Sequence, residues 1–101
     1  MANPPPYLNP NVELALSWEI IRNQNSQVVV PNTLTIDERG EAISYSMTIE
    51  GATLPSFMNF DEGSLTFSAT AETVGQWVLT LRATDTAGKY LELTIFIEGK
   101  G

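Results

Sequence analysis

The stretch from Gly75 to Ile97 constrains this chain more than any other. Trp77, Leu79, Leu81 and Ala83 alternate with Gln76, Thr80 and Arg82, and after the polar run Asp85-Thr-Ala-Gly88-Lys89 the residues Leu91, Leu93, Ile95 and Ile97 resume the same spacing. A period of two belongs to an extended strand with one face against a core. Two such strands joined by a polar, glycine-containing turn predict a hairpin. Ile43, Tyr45, Met47 and Ile49 alternate in the same way with Ala42, Ser44, Ser46 and Thr48, after the turn at residues 37–41. Leu54-Pro55-Ser56-Phe57-Met58-Asn59-Phe60 leads through Asp61-Glu62-Gly63-Ser64 into Leu65-Thr66-Phe67-Ser68-Ala69, a second hairpin with a loop of about four residues. Met58 and Phe60 are expected under the core. Turn signals recurring every ~8–12 residues, with about seven strands between them, predict an all-β antiparallel sandwich of two sheets and little helix.

The remaining segments are less decisive. Asn3 to Asn11 holds four prolines, so residues 1–11 are expected to form an extended connector and residues 12–101 a single domain. In residues 12–22 the apolar positions Leu14, Trp18 and Ile21 fit one face of a helix, while Leu14, Leu16 and Trp18 fit alternation equally well. Val28–Val30 and Leu34/Ile36 flank Pro31-Asn32, which suggests a strand broken by a proline at a sheet edge. Trp18 is read either as core cover or as an exposed recognition aromatic. Trp77 is read as a plug at one end of the inter-sheet space, with Gly75 allowing close approach.

Composition narrows the chemistry. Apolar residues at 43 % and charged residues at 17 % supply a core without the charge excess of a disordered chain. The net charge of −7 repels phosphate backbones and anionic headgroups, so neither nucleic acid nor membrane surface is expected as partner. No apolar run approaches the ~18 residues of a membrane span. The chain has no histidine and no cysteine, which removes imidazole and thiolate chemistry, zinc and haem ligation and disulfides. A catalytic role would rest on paired carboxylates alone. The acids are scattered over turns and outward faces as solubility requires, and no glycine-rich phosphate loop precedes a helix, so no enzyme is expected.

From Asp37 onward four blocks stand in a familiar order: Asp37-x-x-Gly40-Glu41-x-Ile43-x-Tyr45, Leu54-Pro55-Ser56-Phe57-Met58-x-Phe60-Asp61, Leu65-Thr66-Phe67-Ser68, and Val74-Gly75-x-Trp77-x-Leu79-x-Leu81-x-Ala83-Thr84-Asp85-x-x-Gly88. Together they resemble the dystroglycan-type cadherin-like and putative Ig-domain repeats of cell-surface and secreted proteins. The opening Asn3-Pro-Pro-Pro is similar to the connector between such repeats, whereas residues 12–27 depart from the pattern. The resemblance implies an Ig-like or cadherin-like sandwich within a larger extracellular or cell-surface protein. It further implies calcium at the junction between modules, with Asp37, Glu41 and Asp85 as ligands and Asn3 or a connector carbonyl in a lesser role. Six to eight oxygens are needed, more than one turn supplies. Arg39 stands where good sites carry a second acid, and its guanidinium is placed to neutralise Asp37; only Glu72 represents the acidic run before the penultimate strand. The competing reading makes these acids turn-formers and surface charges.

The function expected is a non-catalytic repeat module for adhesion, protein recognition or spacing, binding its own kind or neighbouring repeats through outward Val78, Phe96 and Tyr90. The alternative is a carbohydrate-binding or accessory module of a secreted polysaccharide-acting protein, with Trp18, Tyr7 and Tyr90 stacking on sugars. A spacer without any ligand is the third reading.

Overall fold

The computed structural model describes residues 5–40 and 42–101. Among them the regular elements are nine strands and no helix: β1 (Tyr7–Leu8), β2 (Ser17–Ile21), β3 (Ser26–Val29), β4 (Thr35–Ile36), β5 (Ser44–Ile49), β6 (Met58–Asp61), β7 (Thr66–Ala69), β8 (Gly75–Thr84) and β9 (Tyr90–Lys100). Seven of these have four residues or more, matching the expected strand number, and β1 and β4 are two-residue pairs. They form a four-stranded sheet in the order β2-β9-β8-β5, a three-stranded sheet β3-β7-β6, and the small pair β1-β4. The arrangement is an Ig-like β-sandwich.

Within the ambiguous segment residues 17–21 form a strand, while residues 12–16 form neither strand nor helix. In β2, Trp18 and Ile20 are buried while Ser17, Glu19 and Ile21 face out, so Ile21 leaves the face a helix would have given it. One element departs from the all-antiparallel expectation: β2 runs parallel to β9, with Ser17 opposite Phe96 and Ile21 opposite Lys100. The cause is the path before it. Tyr7 and Leu8 pair antiparallel with Ile36 and Thr35, and the chain then crosses through residues 9–16 to the other sheet, still running toward the same end as β9. Lys100 braces this seam, with Nζ 3.1 Å from Glu19 and 3.4 Å from Glu98. The hydrogen bond to Glu19, then that to Glu98, raises the Lys100 pKa. A raised folded value means the brace is complete below the ordinary lysine pKa and is lost only as pH climbs past the shifted one.

Phe67, Ile20, Leu79, Leu81, Ile95, Ile97 and Val30 are fully buried between the layers. Each removes apolar surface worth roughly 1.5–3 kcal/mol from water. Phe67 meets the Trp18 ring at 5.4 Å, and the indole Nε1–H donates to the Ala15 carbonyl at 2.6 Å. Trp18 is therefore core cover with its polar edge satisfied, and the exposed-recognition reading falls. Tyr45 of β5 bonds Thr35 of β4 (hydroxyl to hydroxyl 2.6 Å), tying the four-stranded sheet to the small β1–β4 pair. Pro31 interrupts the segment between β3 and β4 as expected, and Val30 N–H still donates to the Leu65 carbonyl at 2.8 Å. Leu65 itself closes the β6–β7 hairpin with φ of +55°, a conformation costing an L-residue roughly 1–2 kcal/mol. Burial of its side chain offsets that strain.

Trp77 plugs the sandwich end as expected, but it is half-buried and packs edge-on to Phe57 at 5.4 Å. The glycine that admits it is Gly99, not Gly75. A Cβ on Gly99 would lie 2.8 Å from the indole Cζ3, whereas one on Gly75 would make an ordinary 3.5 Å contact. That proximity belongs to a residue far along the chain, which local alternation does not register.

The molecule measures 51 × 28 × 20 Å. Tyr7 lies beside Ile36, next to the Asp37 turn, while Lys100 lies opposite Ile21 near the start of β8. The first and last described strands therefore place the chain's entry and exit at opposite ends of the sandwich.

Candidate functional site

Two turns of like sequence, Asp37-x-x-Gly40 and Asp85-x-x-Gly88, share the entry end, because β5 begins at Ser44 directly opposite Thr84, the last residue of β8. Each aspartate builds its own turn. Asp37 Oδ1 accepts the Arg39 N–H at 2.9 Å, and Asp85 Oδ1 accepts those of Ala87 and Lys89, each at 2.9 Å. Gly40 and Gly88 close the turns at φ of +72° and +86°, where a side chain would be strained. Both aspartates are buried, at 7 % and 5 % exposure, and the second carboxylate oxygen of each is buried without a hydrogen-bond partner. A buried, undonated carboxylate oxygen is unusual enough to require a reason.

Arg39 does not provide it. The ion pairs among the described residues are Arg82–Glu92, Lys100–Glu19 and Lys100–Glu98, and Arg39 is exposed, meeting Asp37 through its main-chain N–H only. The expected neutralisation of Asp37 by that guanidinium does not form. Glu72 lies in the loop between β7 and β8, at the opposite end from the two turns. Glu41 and Asn3 lie outside the described residues. Among the described residues no three acidic side chains gather in one place. Asp85→Ala removes the acceptor of two main-chain N–H groups, and a loss of about 1 kcal/mol is expected in urea unfolding, with Asp85→Asn retaining most of it.

On the outer face of the four-stranded sheet, Val78 and Phe96 stand directly opposite one another at 46 % and 55 % exposure. Tyr90 lies farther along β9 under the Arg82 guanidinium, 4.1 Å from its ring centroid. Arg82 is held there by Glu92, with Nη2 2.7 Å and Nε 3.0 Å from Oε2, and that hydrogen bond raises the guanidinium pKa. Trp18, Tyr7 and Tyr90 make no common stacking platform: the first is buried, the second lies on β1 beside β4, and the third sits at the start of β9.

One feature had only a faint signal in the sequence. A groove of about 550 Å³ runs under the crossover segment, lined by Leu8, Val12, Leu14, Leu16, Leu34 and Leu93 among others. The density of leucine in residues 8–16, too apolar for a solvated linker, was that signal.

No curated protein matches the chain in sequence. Solved structures match its fold. A putative α-galactosidase from Bacteroides fragilis superposes with a TM-score of 0.66 at 17 % identity over 98 % of this chain and 18 % of that one. A nucleoside hydrolase-related protein from Saccharophagus degradans, described as associated with carbohydrate metabolism, gives 0.58 at 16 % identity over 98 % and 26 %. The PKD domain from the KIAA 1837 protein gives 0.56 at 16 % identity over 99 % and 89 %. This chain thus spans about a fifth of the α-galactosidase-type chain and nearly the whole of the PKD domain. The model of the family described as "Putative Ig domain" matches residues 11–97, so the chain belongs to that family.

Proposed function

We propose that this chain is a non-catalytic extracellular module that spaces and presents neighbouring domains of a larger protein, its junctions stiffened by calcium. The observation that carries the reading is the entry and exit at opposite ends of a body 51 Å long, which lets copies or other domains follow one another in a line. The calcium component rests on the two aspartates at the entry end. Each uses one oxygen to build its turn and leaves the other buried and undonated. Carboxylate oxygens are the ligands a hard cation selects, but two fall short of the six to eight calcium takes. Asp37 and Asp85 would therefore contribute their Oδ2 atoms, with Glu41, the connector and the preceding module completing the shell.

The expected outcome is specific. Calcium leaves the thermal midpoint of this chain alone unchanged, and raises that of a two-module tandem, whose folded state gains RT ln(1 + [L]/Kd) in stability, a gain a chelator removes. Loss of that gain in Asp37→Asn with Asp85→Asn assigns the ion to these turns. A tandem indifferent to calcium discards the ion and leaves the spacing role intact.

The solved neighbours favour a second reading, an accessory module of a carbohydrate-acting protein, since the fold forms a small share of chains so described. Retention of the chain on insoluble polysaccharide columns supports it, and flow-through on every polysaccharide tried removes it. The adhesive version is tested separately: Phe96→Glu disrupts self-association in ultracentrifugation if the outer face is the contact, and leaves it unchanged if not.

A further inference from the structure

β9 is eleven residues long, but β2 covers only its second half, from Phe96 to Lys100. Which main-chain groups this leaves open follows from the bonds that are made. Phe96 N–H donates to the Leu16 carbonyl at 2.8 Å and the Lys100 carbonyl accepts from Arg22 N–H at 2.7 Å, so the even-numbered residues of β9 turn their main chain toward β2. By strand alternation Tyr90, Glu92 and Thr94 turn theirs to the same side, ahead of where β2 begins. No described residue bonds them there. The odd-numbered side chains report the same gap. Ile95 and Ile97, beneath the covered half, are 0 % and 1 % exposed, whereas Leu91 and Leu93 remain half-buried although they face the same core. Beside this open edge lies the apolar groove under the crossover segment, which Leu14, Leu16, Leu34 and Leu93 line together.

We infer that the edge of β9 over residues 90–94, with its groove, is a docking site for an extended peptide strand from a partner protein in which apolar and basic residues alternate. An added strand would extend the four-stranded sheet, taking ladder bonds from Tyr90, Glu92 and Thr94. One set of its side chains would enter the groove, and the alternate set would lie on the outer sheet face. Charge selects the composition of the second set. Glu92 is the acid on the outer face at this edge, with Arg82 taking only its Oε2, and the chain carries −7 overall, which favours lysine or arginine there and disfavours a second copy of this chain or an anionic lipid surface. This inference goes beyond the spacing role and does not depend on calcium.

The test uses the whole chain, isotopically labelled, and an eight-residue synthetic peptide alternating lysine with valine and leucine. Binding is expected to slow amide hydrogen exchange of Tyr90, Glu92 and Thr94 at least about tenfold at saturation. N-methylation of alternate residues of the peptide, which leaves its side chains intact and removes the ladder donors on one edge, weakens binding at least about tenfold for one set of positions and little for the other. Replacing its lysines with glutamates weakens binding comparably. Leu14→Lys lowers affinity with the thermal midpoint retained, and the peptide variants give the answer without it should that variant unfold. Equal binding by both N-methylated peptides, protection confined to the Val78–Phe96 face, or a dimer of this chain that the peptide dissociates would each overturn the inference.

Discussion

Phe67→Ala is expected to lower the unfolding free energy by about 3–5 kcal/mol, a large part of the ~5–15 kcal/mol a domain of this size possesses. Phe67 has no exposed surface, comes from the central strand of the three-stranded sheet, and meets Trp18 from the opposite layer at 5.4 Å. Removing it takes away the transfer energy of the ring and leaves a cavity that rigid sheets on both sides do not collapse to fill. The midpoint measured by circular dichroism should fall by about 12–40 °C. Phe96→Ala supplies the comparison, because the same side chain at 55 % exposure should change stability by less than about 0.5 kcal/mol. Similar losses at the two positions would mean that the faces of the sheets are assigned wrongly.

Gly99→Val should cost about 1–3 kcal/mol even though valine is the better strand former, because its Cβ would arrive 2.8 Å from Trp77 Cζ3 and 3.1 Å from Cη2. The indole has little room to yield, since Phe57 packs against it edge-on. In a Trp77→Ala background the penalty should drop below about 0.5 kcal/mol, a coupling that a double-mutant cycle in urea reads directly. Gly75→Val, with its nearest indole contact at 3.5 Å, should be milder than Gly99→Val. Equal costs at both glycines would contradict the placement of the indole over Gly99.

Sheet content was legible wherever a strand has one dry face and one wet face, as in β5, β8 and β9. The Asp-x-x-Gly turns were legible too, since aspartate accepting its own downstream N–H groups and glycine at positive φ are local events. What escaped depends on pairing across distance. The parallel register of β2 with β9 joins Trp18 to Ile97, and nothing near Trp18 encodes that partner or its direction. Residues 12–22 carry apolar positions common to helix and strand, and the burial of Ile20 with exposure of Ile21 decided between them only in the folded sheet. At the candidate metal turns, the residue types were readable while the orphaned Oδ2 atoms were not, because whether Arg39 reaches Asp37 is a matter of side-chain direction. The open half of β9 comes from a mismatch in strand length, eleven residues against five, which exists only once both strands are paired.

The direction in which β2 lies against β9 also governs how such a body bears load. Traction on its two ends draws β2 toward the entry side and β9 toward the exit side, so the five register pairs from Ser17 to Ile21 are sheared together and do not unzip one after another. A chain of these modules would lengthen by rare, abrupt yielding of single units, with the Lys100 brace to Glu19 and Glu98 among the first attachments to feel the strain.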